Sequence, residues 1–187
     1  ELERTWIAMK NNVLIALFVI FLLLTVLMRS FILPFVLVIT VPIAGAGGVM
    51  GLVVLNQFTA QSLDMLTMLG FIILTGIVVN NSILMVEQTL WHIRYESMKI
   101  SEAITEATRN RIRPIFMSTL TSLFGLIPLV IFPGSGSELY RGIGTVVFGG
   151  LSTSAILTLL MVPPLLALAL RFEKVKPISQ TKQEEFI

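Results

Sequence analysis

The chain has 187 residues, of which 55% are hydrophobic and 13% charged, with a mean hydropathy of +0.91 and a formal charge of +2. A soluble domain carries roughly 25% charged residues, so an ordinary soluble fold is excluded, and so small a positive charge gives no reason to expect a nucleic-acid partner. The absence of cysteine excludes disulfides, thiolate metal sites and cysteine nucleophiles.

Stretches of about 18 or more apolar residues read as membrane spans. Residues 1–11 are expected to end an extracytoplasmic segment. The opening Glu1-Leu2-Glu3-Arg4 is neither a Met start nor a secretory signal, so the chain is expected to be a piece of something longer. The first predicted span runs over about 12–28, between Lys10 and Arg29. Pro34 opens the second, about 35–55, which holds Pro42 and the small-residue cluster Ala44-Gly45-Ala46-Gly47-Gly48. Such clusters let helix backbones approach closely in lipid. A polar turn from Asn56 to Asp64 leads to the third span, about 65–91. The connection 92–113 follows. Within it Ser101 is a candidate N-cap, and Ala103, Ile104 and Ala107 share one helical face, so a short amphipathic helix at the membrane surface is predicted. The fourth span, about 114–132, starts at Pro114, a favourable first-turn position. After the loop Pro133 to Ser137 comes the fifth, about 142–170, and residues 171–187 form a polar tail expected to be disordered. The fold class is thus all-α integral membrane, with five transmembrane helices and a short amphipathic cytoplasmic helix.

The basic residues orient the bundle. Arg29, Arg94, Lys99, Arg109, Arg111, Arg113, Arg171, Lys174, Lys176 and Lys182 fall on one side, ten of thirteen, against Arg4, Lys10 and Arg141 on the other. The excess marks the cytoplasmic side. The N-terminus is expected outside and the C-terminus inside.

Polar side chains within spans each invite a functional reading. The third span carries Thr75, Asn80, Asn81 and Ser82. The two asparagines are about 100° apart on a helix, so they face one polar seam or two different neighbours. The plainer reading is interhelical hydrogen bonding, worth roughly 1 kcal/mol or less per contact. In the fourth span, Arg111 and Ser118 lie seven residues apart on one face. Arg109 and Arg113 read as interfacial anchors; Arg111, which shares a face with the Ser118 hydroxyl, is either a third anchor or reaches inward toward a carboxylate on another helix. Glu87 and Asp64 read as interfacial, and the single histidine, His92, as solvated. Ser152, Thr153 and Ser154 are expected to bond their own helix backbone. No Ser/His/Asp set, phosphate loop or metal motif occurs, so no enzyme activity, cofactor or metal is expected.

The ordered motifs resemble the C-terminal membrane half of the resistance–nodulation–division (RND) superfamily, in its hydrophobe/amphiphile efflux branch. The resemblance starts at Arg29-Ser30 to Pro34 and passes through Val41-Pro42-Ile43, the glycine cluster and Gly76 to Glu87. It continues over Ser101-Glu102-Ala103-Ile104 to Ala107, Arg111-Ile112-Arg113-Pro114-Ile115 and Gly125-Leu126-Ile127-Pro128-Leu129. It ends at Gly149-Gly150-Leu151-Ser152-Thr153-Ser154 and Val162-Pro163, so it covers about Val13 to Leu170. It implies the last five helices of a twelve-helix bundle built from two related halves. It further implies a trimeric multidrug efflux pump of the bacterial inner membrane, an antiporter exchanging drugs or amphiphiles for protons. The partners implied are the N-terminal half of the same transporter, a periplasmic adaptor and an outer-membrane channel.

The family's proton relay pairs two aspartates of the N-terminal half with a lysine, an arginine and a hydroxyl. By resemblance these three fall at Asn80, Arg111 and Ser118, with Asn81 beside them. Arg111 and Ser118 keep the family chemistry; Asn80 departs from it. An asparagine can donate to a carboxylate but supplies no charge, so it cannot depress an aspartate's pKa as a lysine would. Either Arg111 carries the coupling alone, or the stoichiometry differs, or the chain belongs to a heteromeric pump. Two alternatives to efflux are a protein-translocation accessory subunit of the same superfamily and a membrane scaffold that transports nothing.

Overall fold

The computed structural model describes residues 2–61, 63–131 and 137–172, and every regular element among them is an α-helix. The helices are α1 (Leu2–Met28), α2 (Ile32–Asn56), α3 (Met65–Tyr95), α4 (Ile100–Ile131) and α5 (Ser137–Phe172). Each of the five contains a stretch long and apolar enough to cross a membrane. Helices suit that setting because each satisfies its own backbone polar groups where water is absent.

The turns follow from local chemistry. Arg29 takes a left-handed conformation (φ 52°) just past α1. The Ser30 hydroxyl then accepts from the N–H groups of Ile32 (3.2 Å) and Leu33 (3.3 Å), covering donors that the first turn of α2 leaves free. The Asp64 carboxylate accepts from the Thr67 N–H at 2.8 Å and caps α3. At the end of α3 a second left-handed residue, Ser97 (φ 52°), turns the chain toward α4.

Four sequence expectations change here. The predicted short helix and the fourth span are one helix, α4, which runs unbroken from Ile100 to Ile131 with Pro114 inside it. Pro114 removes one N–H, the partner of the Asn110 carbonyl, but flanking turns carry the helix through. The apolar face of the early part does not rest on lipid alone: Ala103 and Ile104 join a core cluster with Ile93, Leu166, Ala169 and Leu170. Ser101 lies inside the first turn rather than capping it. The helical structure also begins at Leu2, well before the apolar run of α1, which starts near Lys10. The loop from Pro133 falls outside the described residues up to residue 136, and the tail does so from residue 173.

The centre of the bundle is α5, which packs on α2, α3 and α4, whereas α1 touches only α2 and α3. The α2–α5 crossing depends on glycine. A Cβ on Gly149 would lie 2.7 Å from the Gly47 carbonyl oxygen and 2.9 Å from the Gly51 Cα, closer than real Cβ atoms approach. Two cores result. One, at the end holding the α1–α2 and α3–α4 turns, gathers Leu33, Leu37, Val86, Leu90 and Leu166. The other, toward the opposite end, gathers Ala44, Leu52, Leu74, Val78, Val146 and Leu151.

The two flanking helices remain open. Only 11% of the apolar stretch is buried in α1 and in α4, against 39–44% in the other three. Beyond Asn12 the exposed residues of α1 within the membrane stretch are apolar (Phe18, Leu22, Leu23 and Val26 among them), but the open side of α4 mixes Phe116, Met117 and Leu120 with Ser118, Thr121 and Ser122.

Candidate functional site on α3 and α4

Successive turns of two adjacent helices place the polar residues. On α3, Asn81, Leu84 and Gln88 recur at intervals of three to four residues and so share a face. On α4, Arg111, Ile115 and Ser118 do the same. The two faces meet along a groove of ≈ 240 Å³ lined by Asn80, Asn81, Leu84, Arg111, Pro114, Ile115 and Ser118. All four residues singled out in the sequence, Asn80, Asn81, Arg111 and Ser118, therefore border one space. Of the two arrangements left open for the asparagines, the structure has both on this single seam.

Within the groove the side chains are in different states. Asn80 and Ser118 are exposed, while Asn81 and Arg111 are half-buried. Neither asparagine amide hydrogen-bonds another described residue, so interhelical bonding does not account for them within this chain. The Ser118 hydroxyl donates to the Ile115 carbonyl of its own helix at 3.1 Å. Arg111 Nε–H donates to Gln88 Oε1 at 2.7 Å, across the α3–α4 contact. Among the described residues no carboxylate lines the groove, and no described ion pair involves Arg111. The arrangement is a set of donors, one of them charged, with no acceptor charge beside it among the described residues. It is suited to receiving an anionic side chain and carries no nucleophile or metal cage; among the described residues no group of three His, Asp or Glu could hold a metal ion.

Gln88 was not singled out in the sequence. A usable signal existed, since it stands seven residues after Asn81 and hence on the same helical face.

The remaining polar residues are accounted for elsewhere. Glu87 is exposed and borders a separate groove of ≈ 250 Å³ with Arg94, Trp91, Tyr95 and the end of α1. His92 is buried rather than solvated, because α3 continues past it to Tyr95 and brings Glu96 one turn beyond. Its Nδ1–H donates to Glu96 Oε2 at 2.7 Å, and the Trp91 ring packs edge-on against it. Thr75 bonds the Phe71 carbonyl, and Ser152, Thr153 and Ser154 bond carbonyls three or four residues back on α5, as expected of hydroxyls in apolar helices. Ser82 and Arg141 are buried, and the Ser82 hydroxyl and Arg141 Nε have no hydrogen-bond partner among the described residues.

Comparison with known proteins gives two findings. A model of the AcrB/AcrD/AcrF family matches residues 6–169. Among solved structures, the chain is similar to an X-ray crystal structure of a heavy metal efflux pump, at 30% sequence identity and a TM-score of 0.73 over 84% of this chain. The chain spans 15% of the length of that pump.

Proposed function

This chain belongs to the AcrB/AcrD/AcrF family of RND efflux transporters, and from that premise we propose that it contributes half of the proton-relay helices of a proton-driven exporter of drugs or amphiphiles. The observation that carries the reading is the groove itself. Arg111 lies half-buried in a groove it shares with Asn80, Asn81 and Ser118, and no carboxylate of a described residue lines the space. A charge in that setting needs a partner, and the partner is an acidic side chain from the other half of the same transporter. When that carboxylate is ionised, Arg111 holds it with support from the neutral donors Asn80, Asn81 and Ser118. When it takes a proton the charge attraction ends, and the α3–α4 pair is free to shift against its neighbour. Alternation between the two states links proton entry to movement of the substrate-carrying part.

Asn80 makes Arg111 the one cationic member on this side of the relay. The complete pump is taken to be a trimer of the bacterial inner membrane, multi-pass, with the N-terminus of this chain periplasmic and its C-terminus cytoplasmic. It works with a periplasmic adaptor and an outer-membrane channel. The lipid-facing surface of α1 and the excess of basic residues on one side support that placement.

A second reading, export of a heavy metal ion, is favoured by the likeness to the heavy metal efflux pump. The two readings share the relay and differ in cargo. Cells carrying the complete transporter with Arg111→Ala are expected to lose resistance to the exported compounds while keeping normal protein levels and assembly. Undiminished resistance in that strain would rule the role out. Parallel challenge with amphiphiles and with metal salts separates the two cargoes.

A further inference from the structure

The way Arg111 is held carries an inference of its own. Its single hydrogen bond to a described side chain uses Nε, and the acceptor, Gln88, stands one turn beyond Leu84 and is not part of the groove lining. A guanidinium has five N–H donors in a rigid fork. With Nε taken from outside the groove, the two Nη groups are left for whatever enters it. They present the end-on edge that binds a carboxylate with two parallel bonds.

The chemistry of the holder matters as much as its place. Gln88 is neutral, so it orients the guanidinium without cancelling its charge. A carboxylate at the same point would form an ion pair and compete with any incoming acid. The other charged groups nearby are occupied or directed elsewhere. Glu87 borders the opposite groove with Arg94, and His92 is paired with Glu96. Arg109 and Arg113 flank Arg111 on α4 and are exposed. Arg171 of α5 borders a cavity at the first turn of α4, with Ser101 and Thr105.

We propose that Gln88 is a positioning residue for the relay: its side-chain carbonyl fixes Arg111 by Nε so that both Nη groups face the carboxylate that titrates in the groove. The proposal rests on the reading of Arg111 as a relay residue. It gives Gln88 a measurable signature. A well-held arginine keeps the partner carboxylate ionised to lower pH, so loosening the arginine raises the pH at which that carboxylate takes its proton.

The test is the pH profile of proton-driven transport by the complete transporter in vesicles, for wild type, Gln88→Met, Gln88→Glu and Arg111→Ala. Gln88→Met keeps length and packing but removes the acceptor, and its profile is expected to move alkaline by about one pH unit, a tenfold change in the proton's binding constant. Gln88→Glu draws Arg111 into an ion pair and is expected to move the profile further in the same direction. Should Gln88→Met fail to accumulate, Gln88→Glu decides alone. If Arg111→Ala alters transport while both Gln88 variants keep the wild-type profile, or lose amplitude with no shift, Gln88 is a packing residue and the proposal is overturned. If Arg111→Ala itself leaves transport and profile unchanged, the relay reading beneath it fails instead.

Discussion

Gly51 and Gly149 meet backbone to backbone where α2 crosses α5: a Cβ added to Gly149 would stand 2.9 Å from the Gly51 Cα, and one added to Gly51 would stand 3.1 Å from the Gly149 Cα. Without a hydrophobic drive between helices in lipid, such close packing is a main source of association. The same crossing holds α5 in the centre, and α5 in turn supports both α3 and α4, so the geometry of the groove depends on it.

Gly149→Ala is therefore expected to destabilise the complete transporter by about 1–3 kcal/mol, the usual cost of overpacking. Gly45→Ala, where an added Cβ meets nothing within 4 Å, is the matched control and is expected to be neutral. Thermal unfolding in detergent separates the two. Equal melting temperatures for both variants would contradict the close approach.

The pair at the end of α3, a buried His92 held by an exposed Glu96, gives a second expectation. Glu96→Ala leaves His92, 6% exposed and already without a partner at Nε2, with neither ring nitrogen bonded. An unsatisfied buried polar group costs about 1–3 kcal/mol, and Glu96→Gln, which keeps an acceptor oxygen, is expected to recover most of the loss. Unfolding measurements on the two variants check this, and the relay is expected to stay intact in both.

Asn80 and Arg111 border the same groove but offer different chemistry. A neutral hydrogen bond contributes about 0.5–1.5 kcal/mol and one to a charged group about 1.5–3 kcal/mol. Arg111 adds the charge itself. Asn80→Ala is accordingly expected to lower proton-driven transport by about tenfold or less, and Arg111→Ala to lower it far more. Initial rates in vesicles at one fixed pH gradient give the ranking, and the reverse order would contradict the assignment of charge to Arg111.

Much of this was readable from the sequence, and the reasons are physical. Five apolar runs stand out because lipid demands length and tolerates little charge, and each falls within an observed helix. Asn80, Asn81 and Ser118 were visible because polar residues are rare within apolar spans, and Arg111 because it shares a helical face with Ser118. Pro114 misled the reading of the fourth span, since proline favours a helix start and only its neighbours show that the helix passes through. Gln88 escaped notice because an amide near the end of a span reads as interfacial, and its bond to Arg111 depends on the tilt between two helices, which periodicity does not encode. His92 was misplaced because its burial depends on how far α3 continues past the apolar run.

The central claim is that Arg111 couples proton movement to export. Its most direct test is substrate movement driven by an imposed pH gradient in vesicles holding the complete transporter, compared between wild type and Arg111→Ala at matched protein levels. The account predicts gradient-driven transport in the wild type and none above background in Arg111→Ala, with substrate binding in the absence of a gradient unchanged. Gradient-driven transport by Arg111→Ala at the wild-type rate would contradict it.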